Sequence, residues 1–243
     1  MNIGLFTMVV FQPPAHRMIK VHHLESSRSQ RILWLLEELG LQYELVRYAR
    51  DPETMLAPPE LRKVHPLGKS PVLEEDGLVL AESGAIIEYL VERHDQAHRL
   101  WPSPGPATDP ERLRYRQWMH YAEGSAMPPL LLSLVFTRLQ HAPMPFFARP
   151  VAKGIAEKVL KTFVRPQMRL HMAYMDAALG QHEWFAGDRF SAADIQMSFP
   201  VEAACSRGDA SQYPHLRRFV EGIRARPAYQ RAVERGGGFE LLK

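Results

Sequence analysis

In the stretch Ile19-Lys20-Val21-His22-His23-Leu24-Glu25-Ser26-Ser27-Arg28-Ser29-Gln30-Arg31-Ile32-Leu33, a strand-like period gives way to a helical one. Ile19, Val21 and His23 alternate with Lys20 and His22 as far as Leu24, the two-residue pattern of a strand. Ser26 to Ser29 then supply helix-start residues. Ile32, Leu33, Leu35, Leu36 and Leu39 form an apolar helical stripe, which Gly40 closes at the C′ position.

Working outward, Tyr43 to Tyr48 reads as a second strand. Prolines at 52, 58, 59 and 66 predict a loop with a short helix. Val72-Leu73 and Leu78 to Leu80 flank Asp76-Gly77, a hairpin signal. Ser83 starts a helix with Ile86, Ile87, Leu90 and Val91 on one face. The order is β-α-β, then β-β-α, an α/β unit expected over residues 18–95. From Trp101 the text changes, and residues 96–108 read as a proline-rich linker. Asp109 is placed to cap a helix with Pro110 at its first position. Residues 109–243 read as an all-α domain. A bend or break is expected at Met127-Pro128-Pro129, and a kink or break at Pro166.

Composition narrows the function classes. The net charge of +3 is small for 243 residues, and the basic residues are spread among acids with short clusters such as Arg217-Arg218. No concentrated basic stripe offers a nucleic-acid groove, so no nucleic-acid partner is expected. A single cysteine, Cys205, excludes an internal disulfide and a zinc site of paired cysteines. Its usage fits a reducing compartment, and the expected location is cytoplasmic. No apolar run is long enough to span a bilayer, so no membrane partner is expected. Met1 to Arg17 lacks a basic leader region and is expected to be a disordered, dispensable extension.

Three places carry residues suited to binding chemistry. Ser26 and Ser27 lie where a helix N-terminus follows a strand, a place that favours anions, although either serine can serve as a plain helix cap. Ser70-Pro71 precedes a strand, where a cis bond would expose the Ser70 backbone N–H and C=O to a peptide-like ligand. Glu82-Ser83 sets a carboxylate and a hydroxyl at a helix start. That pair can hold an amino acid head group, and its alternative is again a cap. Other residues read as structural. His22 and His23 project to opposite strand faces and do not make a metal pair; no metal site is expected. Arg28 reads as a surface charge, Cys205 as a packing residue, and Trp118 and Tyr121 as either pocket lining or core.

Taken together these segments resemble the serine-type, bacterial-like members of the cytosolic glutathione S-transferase family. The resemblance rests on Ser26 to Leu33 with Leu36 to Gly40, on His65-Pro66-Leu67-Gly68-Lys69-Ser70-Pro71-Val72-Leu73, and on Leu80-Ala81-Glu82-Ser83-Gly84-Ala85-Ile86. It extends to Trp184-Phe185-Ala186-Gly187-Asp188-Arg189-Phe190-Ser191-Ala192-Ala193-Asp194-Ile195, where Ser191 and Asp194 make a capping box, and to Arg226-Pro227-Ala228-Tyr229. It implies a thioredoxin-like N-terminal domain, a helical-bundle C-terminal domain and a homodimer. Glutathione is then a co-substrate, with no other cofactor. By the same resemblance Ser26 donates to the glutathione sulfur, with Ser27 the alternative. Ser70 and Pro71 read the cysteinyl part, Lys69 approaches the ligand's backbone or glycyl end, and Glu82 and Ser83 hold the γ-glutamyl end. The implied reaction is attack of a thiolate on a small apolar electrophile. A glutathione-dependent peroxidase and a non-catalytic binding protein are the alternatives. The sequence departs from the family pattern at Ser70 and His65.

Overall fold

The computed structural model describes residues 18–208 and 210–237. The expected N-terminal extension, residues 1–17, lies outside them. Strands β1 (Ile19–Leu24), β2 (Tyr43–Tyr48), β3 (Val72–Glu75) and β4 (Leu78–Ala81) form one sheet in the order β2-β1-β3-β4. β1 runs parallel to β2, with Val21 opposite Leu45, and antiparallel to β3, with Val21 opposite Leu73. Asp76 and Gly77 turn β3 into β4 with φ of 52° and 83°. Two successive left-handed residues match the right-handed twist of the flanking strands, as the Asp-Gly pair predicts.

Helix α1 (Gln30–Leu39) ends at Gly40 in the left-handed conformation, φ 70°. A one-turn α2 (Leu61–Val64) follows β2, and α3 (Ser83–His94) follows β4. The thioredoxin-like order is thus complete by His94. Then come α4 (Pro110–Tyr121), α5 (Met127–His141), α6 (Arg149–Val159), α7 (Arg165–Gln181), α8 (Ala192–Arg207), α9 (Pro214–Ala225) and α10 (Pro227–Gly236). No strand follows Pro110 among the described residues. Asp109 caps α4 as expected, its Oδ1 accepting from the N–H groups of Glu111 and Arg112.

The expected proline bends take a specific form. A π-helical turn, Ala122–Ala126, precedes Pro128-Pro129, and another, Leu160–Val164, precedes Pro166. A proline ring clashes with the carbonyl four residues before it. The extra residue in a π turn moves those carbonyls aside, so the helical backbone runs on through each proline.

Helix α8 is buried along most of its length, and Asp194 anchors its start. The Asp194 carboxylate accepts from the N–H of Phe185 at 2.8 Å and from the N–H and hydroxyl of Ser191 at 2.8 and 3.0 Å. Burial still pushes its pKa up to about 6, with those donors pulling the other way. Helix α1 packs against α3, α8 and α10. Trp34, fully buried on α1, stacks near Phe190 and edge-on to Tyr229, with ring centroids 5.5 and 5.1 Å away. Burial of a side chain that large stabilises the joint between the domains by roughly 3 kcal/mol. Arg226 also clamps Glu38 through two nitrogens, and Arg231 and Arg235 meet Glu37. The chain's last described helix therefore holds the helix that carries the candidate site.

Candidate functional site

The turn between β1 and α1 is built from its serines. Ser26 sits at φ 49°, a left-handed conformation that costs a non-glycine residue energy and recurs at functional turns. Its hydroxyl bonds to no protein group among the described residues. Its carbonyl is held by Arg50, whose guanidinium also takes the carbonyls of Glu25 and Met55, with N···O distances of 2.8–3.1 Å.

Ser27 is committed inward. Its Oγ lies 2.7 Å from Ser29 Oγ and accepts from the Ser29 N–H. Ser29 Oγ in turn lies 2.8 Å from His23 Nδ1, and His23 Nε2 reaches the Gly236 carbonyl at 3.1 Å. The carbonyl can only accept, so Nε2 carries the proton and Nδ1 accepts from Ser29. Burial lowers the His23 pKa to about 4, which keeps the ring neutral in this chain of bonds. Neither Ser26 nor Ser27 is the helix cap; that position is Ser29, which makes no side-chain capping bond.

The Ser70-Pro71 bond is cis. Ser70 Oγ donates to the His22 carbonyl at 2.8 Å and accepts from the Leu24 N–H at 3.0 Å. At this point of departure from the resembled pattern, the hydroxyl satisfies the end of β1 just ahead of the Ser26 turn. The Ser70 backbone N–H and C=O have no main-chain partner among the described residues. Lys69 beside it is exposed, and Gly68 turns at φ 57° against the Arg62 side chain.

Glu82 is exposed at φ 72°, a second strained position, and Ser83 is buried as the first residue of α3. The capping alternative for Ser83 is not realised. Its Oγ accepts from Arg31 at 3.0 Å instead. Arg31 is fully buried and also binds the Gln196 carbonyl on α8 and Glu123 on the first π turn. Burial lowers the Arg31 pKa, and the Glu123 carboxylate offsets that. Glu123 pairs with Arg28 as well, at 3.1 Å. Arg28 is thus no simple surface charge; it is half-buried, 5.5 Å from the centre of the Phe199 ring.

The three sequence segments therefore meet around one strand and one helix. Ser70 is bonded to the end of β1, Ser26 is on the turn that follows, and Ser83 is bonded to α1. A hydroxyl and the N–H groups of Ser27 and Arg28, all without partners among the described residues, gather there with the Arg50 cation, a donor set suited to an anion. Arg31, Arg50 and Glu123 were not singled out as site residues from sequence. Arg50 follows a strand-like run without any motif, and Glu123 meets Arg31 only through the fold. Trp118 is buried core, its ring centroid 4.6 Å from that of Phe185, while Tyr121 is half-buried and bonds His171. The Cys205 thiol is raised to about 11 by burial, which leaves it a poor nucleophile. His22 bonds Tyr48 and Glu74 on one side of β1 while His23 bonds Ser29 on the other, as their alternation predicts. A cavity of about 900 Å³, lined by Met18, Tyr43 and Arg93, opens at the other end of β1, away from Ser26. No helix among the described residues is long and apolar enough to cross a membrane.

Comparison with known proteins agrees with this architecture. Residues 16–92 match the glutathione S-transferase N-terminal domain, and residues 138–227 match the glutathione S-transferase C-terminal domain. Glutathione S-transferase 1 of Saccharomyces cerevisiae is 34% identical over 90% of this chain and 95% of its own length. Glutathione S-transferase 3 of Schizosaccharomyces pombe is 38% identical, with 90% and 88% covered. A crystal structure of a glutathione S-transferase from Actinobacillus pleuropneumoniae superposes with a TM-score of 0.73 at 33% identity, covering 91% of this chain and 94% of that one. On its strand order, its helical second domain and these matches along nearly its whole length, the chain belongs to the glutathione S-transferase family of enzymes.

Proposed function

We propose that the chain is a serine-type transferase that binds glutathione at the Ser26, Ser70 and Ser83 segments and activates its thiol as a thiolate. The observation that carries this reading is the Ser26 hydroxyl, without a partner among the described residues at a left-handed turn, while Ser27 is bonded inward. Glu82 takes the γ-glutamyl ammonium, Ser83 its carboxylate, and the Ser70 backbone, set by the cis bond to Pro71, pairs with the cysteinyl part. Lys69 approaches the glycyl end. The sulfur then lies at Ser26.

A free thiol has a pKa of about 8.5, so a shift of about two units, worth roughly 2.7 kcal/mol, makes most of it thiolate at neutral pH. Ser26 supplies a hydrogen bond, Arg50 a fixed positive charge, and the start of α1 its unpaired N–H groups. The thiolate attacks a small apolar electrophile and the conjugate leaves; the protein orients the reactants and contributes no cofactor of its own. The direct test is turnover of an activated aryl halide. Glutathione-dependent halide release is expected, and its absence at saturating glutathione would refute the transferase assignment.

The protein works in the cytoplasm as a homodimer in this reading. Leu131 and Val135 on α5, Phe163 on the second π turn, and Leu170 and Tyr174 on α7 are each between 44% and 61% exposed. Their spacing of four or seven residues places them on one helix face each. Val79, on the sheet's edge strand, is 46% exposed. These exposed apolar side chains support the homodimer in this reading.

A further inference from the structure

A cavity of about 170 Å³ lies between α3 and α4, with Trp101 and Pro102 of the linker also lining it. It is smaller than the roughly 300–1,000 Å³ pockets of drug-sized ligands, so its occupant is small. One wall carries Glu88 and Glu92, one turn apart on α3. The other carries Arg112 and Arg116, one turn apart on α4. Residues four apart share a helix face, so each wall presents a single sign of charge. The two glutamates form no ion pair with these arginines or with any other cation among the described residues. Two polar atoms of the lining are buried and lack a partner among the described residues. They are Arg112 Nε and the hydroxyl of Tyr115, a residue only 3% exposed. Burial, and then the charges of Glu88 and Glu92, push the Tyr115 pKa up, so its hydroxyl stays neutral and can accept as well as donate. Arg112 is fixed beside the cavity: Nη1 donates to the Ser103 carbonyl at 2.8 Å, and the guanidinium lies 5.9 Å from the centre of the Trp101 ring. A buried polar group without a partner costs free energy until something pairs with it. A ligand that satisfies both walls must itself carry both charges.

We propose that this cavity binds a small zwitterion, an α-amino acid with an aliphatic side chain. Its ammonium donates to Glu88, Glu92 and the Tyr115 hydroxyl, and its carboxylate accepts from Arg112 Nε and Arg116. Its side chain packs against Trp101 and Pro102. A simple cation would leave the guanidinium groups unmatched, and a simple anion would leave the glutamates so. None of these residues is a proposed glutathione contact, so the site does not depend on the reading above.

The test is an NMR titration of the full chain with leucine, read on the Trp101 indole N–H signal, which Trp101→Phe identifies. Two analogues are titrated beside it: 4-methylpentanoate lacks the ammonium, and 3-methylbutylamine lacks the carboxylate. Leucine is expected to shift the signal saturably, and each analogue to bind at least about tenfold more weakly. The Glu88→Gln/Glu92→Gln double variant should weaken leucine binding about tenfold and leave 4-methylpentanoate no weaker. Arg116→Gln should weaken leucine binding and leave 3-methylbutylamine no weaker. Glu92 and Arg116 are exposed and Glu88 is half-buried, so these variants keep the fold, which thermal unfolding checks. Tyr115→Phe removes a hydroxyl that has no partner among the described residues. It should leave the melting temperature of the empty protein in place and weaken leucine binding. The proposal is overturned by a Trp101 signal that leucine does not shift, by equal affinity for leucine and either analogue, or by unchanged affinity in the glutamate, arginine or tyrosine variants.

Discussion

The Arg31 guanidinium donates to Ser83 Oγ across 3.0 Å, joining the helix after the first strand to the helix after the last. The same group crosses to the second domain through Glu123 and the Gln196 carbonyl. One fully buried side chain thus orients the proposed γ-glutamyl site and pins the two domains together. Arg31→Leu leaves a carboxylate, a carbonyl and a hydroxyl without their shared donor. Removing one partner of such a buried pair costs about 3–5 kcal/mol. Arg31→Lys restores the charge but not the three-way fork, so it recovers only part of that. Thermal unfolding should show the loss, and calorimetry should show glutathione binding weakened by about tenfold in the folded fraction. An unchanged affinity would mean that Ser83 needs no help from Arg31.

The bond chain from Ser27 through Ser29 and His23 to Gly236 makes a pH prediction. His23 has its pKa lowered to about 4 from an ordinary 6.5, so between those values the unfolded chain binds the extra proton. The stability from a neutral His23 is present above pH 6.5 and is lost as pH falls to 4. The full loss is about 3 kcal/mol for that shift. Asp194, raised to about 6, acts in the opposite sense, with stability falling as pH rises from 3.8. Comparing wild type with His23→Gln cancels the Asp194 contribution. The stability gap between the two proteins should narrow steadily from pH 6.5 to pH 4 in denaturant titrations. A constant gap would remove His23 as its source.

The proposed dimer is tested through the exposed apolar positions. Val135 and Leu170 are 51% and 61% exposed, so Val135→Glu and Leu170→Glu should leave the protomer folded. Sedimentation at micromolar concentration should give a dimer for wild type and a monomer for the double variant. A wild-type monomer would contradict the assembly.

Local chemistry made much of the fold legible. The alternation from Ile19 to Leu24, Gly40 beyond α1, Asp76-Gly77 and the Asp109-Pro110 start each act within a few residues, and each is found as read. The π turns were not legible, because a proline announces a clash without saying how the backbone escapes it. The partners of Arg31 were hidden for another reason: Glu123 lies 92 positions away and Gln196 lies 165 away. The roles of Ser26 and Ser27 could not be separated in the sequence, since both are serines at a helix start. What distinguishes them is the left-handed turn at Ser26 and the inward bond from Ser27 to Ser29.

The thiolate absorbance of bound glutathione, followed against pH, tests the proposed role of Ser26 as donor to the bound sulfur. Ser26→Gly removes the hydroxyl and relieves the backbone at φ 49°, and Ser26→Ala removes the hydroxyl alone. Both should bind glutathione about as tightly as wild type, since the proposed contacts to the tripeptide lie at Ser70, Glu82 and Ser83. A hydrogen bond to a charged group contributes about 1.5–3 kcal/mol, so the bound thiol's pKa should rise by about one to two units in both. Turnover near neutral pH should fall with it and partly recover at higher pH. Ser27→Ala should leave the titration in place and cost only some stability. A titration unchanged in both Ser26 variants, or one abolished by Ser27→Ala alone, would exclude Ser26 as that donor.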